Sequence, residues 1–252
     1  MEKIRATELA GLEKFAGTVF EGAQGKYTLD EYAYFDDTSL FSTCSFDFVS
    51  VSGATIASGA EAQLFSVPVG GTGQGFGTTV LTLAETNMER GWDGGKAPQN
   101  MAYVAVAGGF EVYVSSNGTL VEMYPSASDL HQILNSVYWT WNVGGDANPR
   151  LNYDIIKCWP IGAGPNINFA TPGYVVTTPD TTPWEVASNG GPVSTMRKFT
   201  FPLFFPPNVS VDCRVKFARA VTLVTQNYLA LTSSSDLRIA FHLRGYKLSR
   251  IV

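Results

Sequence analysis

The stretch Met196 to Phe217, MRKFTFPLFFPPNVSVDCRVKF, leaves this chain few folds to choose from. Phe199, Phe201 and Leu203 alternate with Lys198, Thr200 and Pro202. Beyond Pro206-Pro207-Asn208, Val209, Val211, Cys213, Val215 and Phe217 alternate with Ser210, Asp212, Arg214 and Lys216. A period of two puts each apolar set on one face of a strand, so both runs read as strands with one buried face. The prolines donate no ladder hydrogen bond and hold the residue before them extended, and the Asn-Gly or Asp-Gly of a tight hairpin is missing. The pattern predicts two strands joined by a corner that crosses from one sheet of a sandwich to the other. The alternation returns where Leu237, Ile239, Phe241 and Leu243 are interleaved with Arg238, Ala240, His242 and Arg244.

The rest of the chain is consistent with an all-β fold. Residues 27–35 and 40–51 read as strands parted by Asp36-Asp37, followed by strands at 63–69 and 78–83 on either side of the glycine-rich GGTGQGFG, which reads as a flexible turn. Met101 to Val114 reads as two strands, or as one bent at Gly108-Gly109. Pro125 opens one internal helix, with Ser126 and Asp129 at capping-box spacing. Strands at 137–143 and 155–159 come next, and then a long loop over 160–192, rich in Pro, Gly, Thr and Asn. Loops this long are functional or lie against a partner. Ahead of all this, residues 1–20 carry Ile4, Leu9, Leu12, Phe15 and Val19 on one helical stripe. The expected organisation is a helical arm over 1–25 and a β domain over 26–252.

Composition sets the surroundings of that fold. With 252 residues, 45% hydrophobic and only 15% charged, the chain has a thick core and a surface poor in charge, which suits extensive contacts with partners. The charge is uneven: residues 196–252 hold nine Lys/Arg against two Asp/Glu, while residues 1–195 hold eight against twenty. Two readings of the basic end stand side by side. Either it faces phosphate, in a genome or in lipid headgroups, or its cations pair with acidic neighbours from the first part of the chain. Cys44, Cys158 and Cys213 give no disulfide framework and read as reduced thiols. MEKIRATELA has no signal-peptide core and no run reaches the roughly 18 to 20 apolar residues of a membrane span, so folding in the cytosol is expected.

Catalytic chemistry is poorly supplied. His131 and His242 have no partner at ligand spacing, the cysteines lack zinc spacing, and no nucleophile elbow is present. GGTGQGFG lacks the Lys-Ser/Thr of a phosphate loop and precedes a strand. The expectation is no enzyme, no metal, no cofactor and no small-molecule substrate. Trp92, Trp159 and Trp184 stand in Gly- or Pro-bearing loops, where they either anchor subunit contacts or stack on sugars in a receptor- or carbohydrate-binding module.

The order of these pieces resembles that of a family. The Thr86-Asn87 loop, Ala97-Pro98, the strand ending Gly109-Phe110-Glu111-Val112, the helix near Asp129, Trp159-Pro160-Ile161-Gly162-Ala163-Gly164, Phe199-Thr200-Phe201-Pro202-Leu203 with Pro206-Pro207-Asn208, and Phe241-His242-Leu243-Arg244-Gly245 with Arg250 resemble the layout of jelly-roll major capsid proteins of tailless icosahedral bacteriophages. The resemblance spans residues 40–252. It implies a jelly-roll β-sandwich, single or double, that assembles with copies of itself and with other virion proteins into an icosahedral shell in the host cytoplasm. Genome or an internal lipid membrane lies beneath such a shell. It implies no catalytic residues. The candidate interface residues are Ile4, Leu9, Leu12 and Phe15 of the arm, with Trp92, Trp159 and Trp184. The candidate contact loops are 70–77, 84–100 and 160–192. The alternative from another class is a virion spike or carbohydrate-binding β-sandwich.

Overall fold

A computed structural model describes residues 4–8, 12–22, 25–47, 55–89, 92, 95–116, 122–123, 125, 127–144, 151–155, 196–223 and 235–250. In chain order the strands are β1 (Val19–Gly22), β2 (Gly25–Thr28), β3 (Tyr32–Asp47), β4 (Thr55–Ile56), β5 (Glu61–Leu64), β6 (Met101–Ser116), β7 (Glu122–Met123), β8 (Val137–Val143), β9 (Leu151–Ile155), β10 (Arg197–Phe205), β11 (Val211–Phe217), β12 (Val221–Thr222) and β13 (Ser235–Arg250). The helix α1 (Ala127–Ser136) runs directly into β8. One sheet has the order β10-β6-β13-β3, with β7 on the end of β6, and the other has the order β5-β11-β8-β9. All the strand pairs are antiparallel.

The expected corner is present. β10 lies in the first sheet and β11 in the second, and Asn208 between them has φ +56°, a left-handed conformation that Asn tolerates better than most residues. Period 2 then decides what is buried. Val211, Cys213, Val215 and Phe217 of β11, and Leu237, Ile239, Phe241 and Leu243 of β13, are all inside. Aromatic rings fill the space between the sheets: Phe110 stacks on Phe241 at 4.2 Å, Trp139 meets Phe241 edge-on at 4.9 Å, and Trp141 meets Phe205 at 4.8 Å. Such pairs add about 0.5–1.5 kcal/mol each beyond the area they bury. Gly108 makes room for them, since a Cβ there would meet Phe241 at 2.9 Å and Leu243 and Phe199 at 3.0 Å.

Several expectations are corrected. Asp36-Asp37 does not break a strand. β3 runs through both residues, with Asp36 opposite Lys247 and Asp37 opposite Tyr246 in the ladder to β13 and a register shift alongside, so backbone pairing with a distant strand overrides the local turn signal. Of the two readings of Met101 to Val114, one strand is the one present: β6 is a single 16-residue strand held on both sides, with a register shift between Ala105 and Ala107. The run 78–83 is not a strand: Val80 makes one isolated bridge to Thr72, and Thr82 to Glu85 is a turn. Nor are residues 1–20 one helix. Ala6–Glu8 and Glu13–Phe15 are single 3₁₀ turns, Gly17 stops the second at φ +69°, and Val19–Gly22 is already strand.

Candidate interaction surfaces

The edge of the first sheet is the first surface to account for, since β3 ends the strand order and would leave a row of backbone groups open. Residues 70–89 cover it. Thr43 N–H donates to the Glu85 carbonyl at 2.8 Å, Ser45 N–H to the Gln74 carbonyl at 2.9 Å, and Asn87 N–H to the Phe41 carbonyl at 3.4 Å. Gln74, read from sequence as part of a flexible turn, is a buried polar hub. Its Oε1 accepts from Ser42 Oγ at 3.1 Å, Ser66 N–H at 3.1 Å and Val67 N–H at 3.2 Å, and its Nε2 donates to the Thr43 carbonyl at 2.7 Å. Beside it Gly75 has φ +87° and lies so close to the Ser45 backbone that a Cβ would collide with that carbonyl.

The same segment presents two apolar side chains to solvent, Leu83 at 72% and Val80 at 52% exposure. Leu83 stands on a fixed turn. Glu85 Oε2 accepts from Thr82 N–H at 2.8 Å and from Thr82 Oγ1 at 2.6 Å, while Glu85 Oε1 accepts from Arg238 at 3.4 Å. Arg238 also lies over the Phe76 ring at 4.9 Å. With side chains only 12% and 14% exposed, the Arg238–Glu85 pair is costly to break from one side.

The N-terminal segment covers the lower outer face of the first sheet. Leu12 and Phe15 pack with Ala6, Leu29, Tyr32, Ala102, Val104, Phe204 and Leu248 in a second apolar cluster. Asp30 ties the segment down, accepting from Gly17 N–H at 2.8 Å and Thr7 Oγ1 at 3.2 Å, and Lys14 reaches the Thr200 carbonyl at 3.1 Å. Among the candidate interface residues, then, Leu12 and Phe15 are buried on their own domain, and Ile4 is exposed. Trp92 is a core residue, 5% exposed and edge-on to Phe205 at 5.4 Å, so it forms no sugar platform. Leu9, Trp159 and Trp184, with the whole of the loop 160–192, lie outside the described residues.

The basic end of the chain is largely matched by acids from the first part. Arg214 bonds Asp212 at 2.8 Å and also Glu61; Lys247 meets Glu89 at 2.8 Å, Arg250 meets Glu31 at 3.3 Å, and His242 meets Glu111 at 3.1 Å. Of the two readings of the charge asymmetry, pairing accounts for most of it. Exposed pairs of this kind contribute about 0–1 kcal/mol each, so their effect is to set register more than stability. Among the described residues of this last quarter, Lys198, Arg219 and Arg244 have no acidic partner and are exposed.

Burial is the leading cause that drives the Cys44 and Cys213 thiols far above the usual thiol range, which keeps both inert. Among the described residues no group of three or more His, Cys, Asp or Glu is placed to hold a metal, and no helix is long and apolar enough to cross a membrane. Comparison of the chain with protein-family models, with curated proteins and with solved structures gives no match.

Proposed function

We propose that the sandwich is a single jelly roll and that the chain is a structural virion protein of the major-capsid type, which assembles with copies of itself into a closed shell. The strand order carries this reading. Taken in sequence, the eight principal strands are β3, β5, β6, β8, β9, β10, β11 and β13. The first pairs with the eighth, the second with the seventh, the third with the sixth and the fourth with the fifth. That is the pairing of a chain folded back at its midpoint. The ladders of third to eighth and fourth to seventh then wrap the ribbon into two sheets. A double-sheet roll of eight strands is the architecture that capsid proteins share with some lectins and cupins.

Two observations favour the capsid member of that group. A cupin roll needs a ligand site between its sheets, whereas the space between these sheets is filled by Phe65, Phe110, Trp139, Trp141, Phe205 and Phe241, all of them fully buried. Second, apolar groups that a monomer gains nothing by exposing are held in place: Leu83 on a turn whose Glu85 is bonded by Thr82 and Arg238, and Val80 in a bridge to Thr72. The proposed partners are other copies of the chain and other virion proteins, and the proposed setting is a tailless icosahedral virion.

The test is the mass of the purified protein by light scattering over a range of concentrations. Growth from monomer through discrete capsomers supports the assignment, and a monomer at every concentration contradicts it.

A further inference from the structure

We infer that the upper outer face of the first sheet is a binding site for single-stranded nucleic acid, in which Lys198 and Arg244 take phosphates and the Phe41–His242 pair forms a platform for a base. The inference deepens the capsid reading, on which it rests for the identity of the nucleic acid as the packaged genome.

Four strands place these groups side by side. Ala107 of β6 stands between Lys198 of β10 and Arg244 of β13 in the ladder, so the two cations flank one small side chain on a common face. With strands about 4.8 Å apart, their Cα atoms are separated by about 10 Å, a gap that two long side chains bridge to grip neighbouring phosphates. Both are exposed, and among the described residues neither is matched by a carboxylate, unlike Arg214, Arg238, Lys247 and Arg250 around them.

One row along the sheet, Gly109, His242 and Phe41 are ladder partners on β6, β13 and β3. Phe41 and His242 lie ring on ring, 5.4 Å between centroids and 19° between planes. The His242 side chain keeps 35% of its surface exposed, and Gly109 adds no side chain beside it. Glu111 fixes the imidazole through a 3.1 Å contact and offers an acceptor to base N–H groups. A flat, partly exposed pair of rings next to cations that have no carboxylate partner among the described residues is the arrangement that binds single strands: stacking holds the bases while Lys and Arg hold the backbone. An anionic lipid surface would use the cations and draw on rings that protrude into it, whereas these two lie stacked on the sheet.

The test uses the full chain and a fluorescein-labelled oligothymidylate, with fluorescence anisotropy measured between about 20 and 200 mM salt. The expected result is binding that weakens about tenfold or more in the double variant Lys198→Gln, Arg244→Gln, with a salt slope shallower by about 1.4. Phe41→Ala is expected to weaken binding at least about 5-fold with the slope unchanged, and Arg219→Gln to leave it unaltered. Binding that ignores the double substitution overturns the site, and equal affinity for duplex of the same length overturns the platform. Phosphatidylglycerol vesicles bound through Lys198 and Arg244, with no binding of oligothymidylate, overturn the proposal in favour of a lipid surface. Light scattering on the same samples keeps the two readings apart. Shells without oligonucleotide binding sink this inference alone, whereas oligonucleotide binding by a persistent monomer sustains the site and counts against the capsid.

Discussion

Gln74 shows how one residue closes an edge. Its side chain satisfies two backbone N–H groups, one hydroxyl and one carbonyl that would otherwise be buried without partners. Leu in its place fits the volume and orphans the donors, at about 1–3 kcal/mol for each group left unsatisfied. Urea unfolding of Gln74→Leu should therefore show a loss of at least about 2 kcal/mol. Asp236 has the opposite sign. Burial, the leading cause, holds its carboxyl above the ordinary value of 3.8; the nearby Ser45 hydroxyl and Arg238 work against this, and Asp47, its ladder partner, adds to it. A carboxyl raised in the folded state gives stability that is full below its ordinary pKa and is lost as pH rises through the raised value. Asp236→Asn should accordingly melt higher than the parent at pH 7, and the advantage should shrink as the pH falls toward the ordinary carboxylate value. An equal gain at every pH contradicts the account.

At the scale of elements, the sequence shows most where burial is one-sided. β8 and β11 alternate cleanly because one face of each meets the core and the other does not, and period 2 reads that directly, as it reads the core positions Leu237, Ile239, Phe241 and Leu243 of β13. The corner at Pro206-Pro207-Asn208 was equally legible, since backbone chemistry alone rules out the alternative. What misled was local composition overruled by distant partners. Asp36-Asp37 reads as a break until the ladder to β13 is seen to run through it, and GGTGQGFG reads as a slack turn until the open edge of β3 is seen beneath it. The outer-face row of Phe41, His242, Lys198 and Arg244 was invisible for a related reason. Its members lie on three strands, and only register brings them together. The N-terminal stripe reads as one helical face, yet of its described residues only Leu12 and Phe15 are buried while Ile4 and Val19 are exposed, because two anchoring side chains on a sheet need no continuous helix behind them. Since Phe15 is 4% exposed within the cluster on that sheet, Phe15→Ala should lower the stability of the isolated subunit by about 3 kcal/mol in chemical unfolding. Unchanged stability combined with a loss of assembly would instead make the segment a tie between neighbours.

For the whole molecule, two sheets, a ring-filled interior and braced connections describe a rigid block, and a shell needs subunits that keep their shape while repeating one set of contacts. The braced turn at Thr82 to Glu85 is where such a contact is expected. Leu83→Asp replaces a side chain that touches little of its own chain, so its melting temperature should match the parent while the growth of assemblies seen by light scattering is abolished. A variant that assembles as the parent does removes this turn from the interface. The most direct measurement of the central claim is negative-stain electron microscopy of the purified protein at the highest concentration it tolerates. The account predicts closed shells of uniform diameter, or the flat arrays and discrete capsomers from which such shells are built. A field of separate monomers, or of amorphous aggregates with no repeating unit, would contradict it.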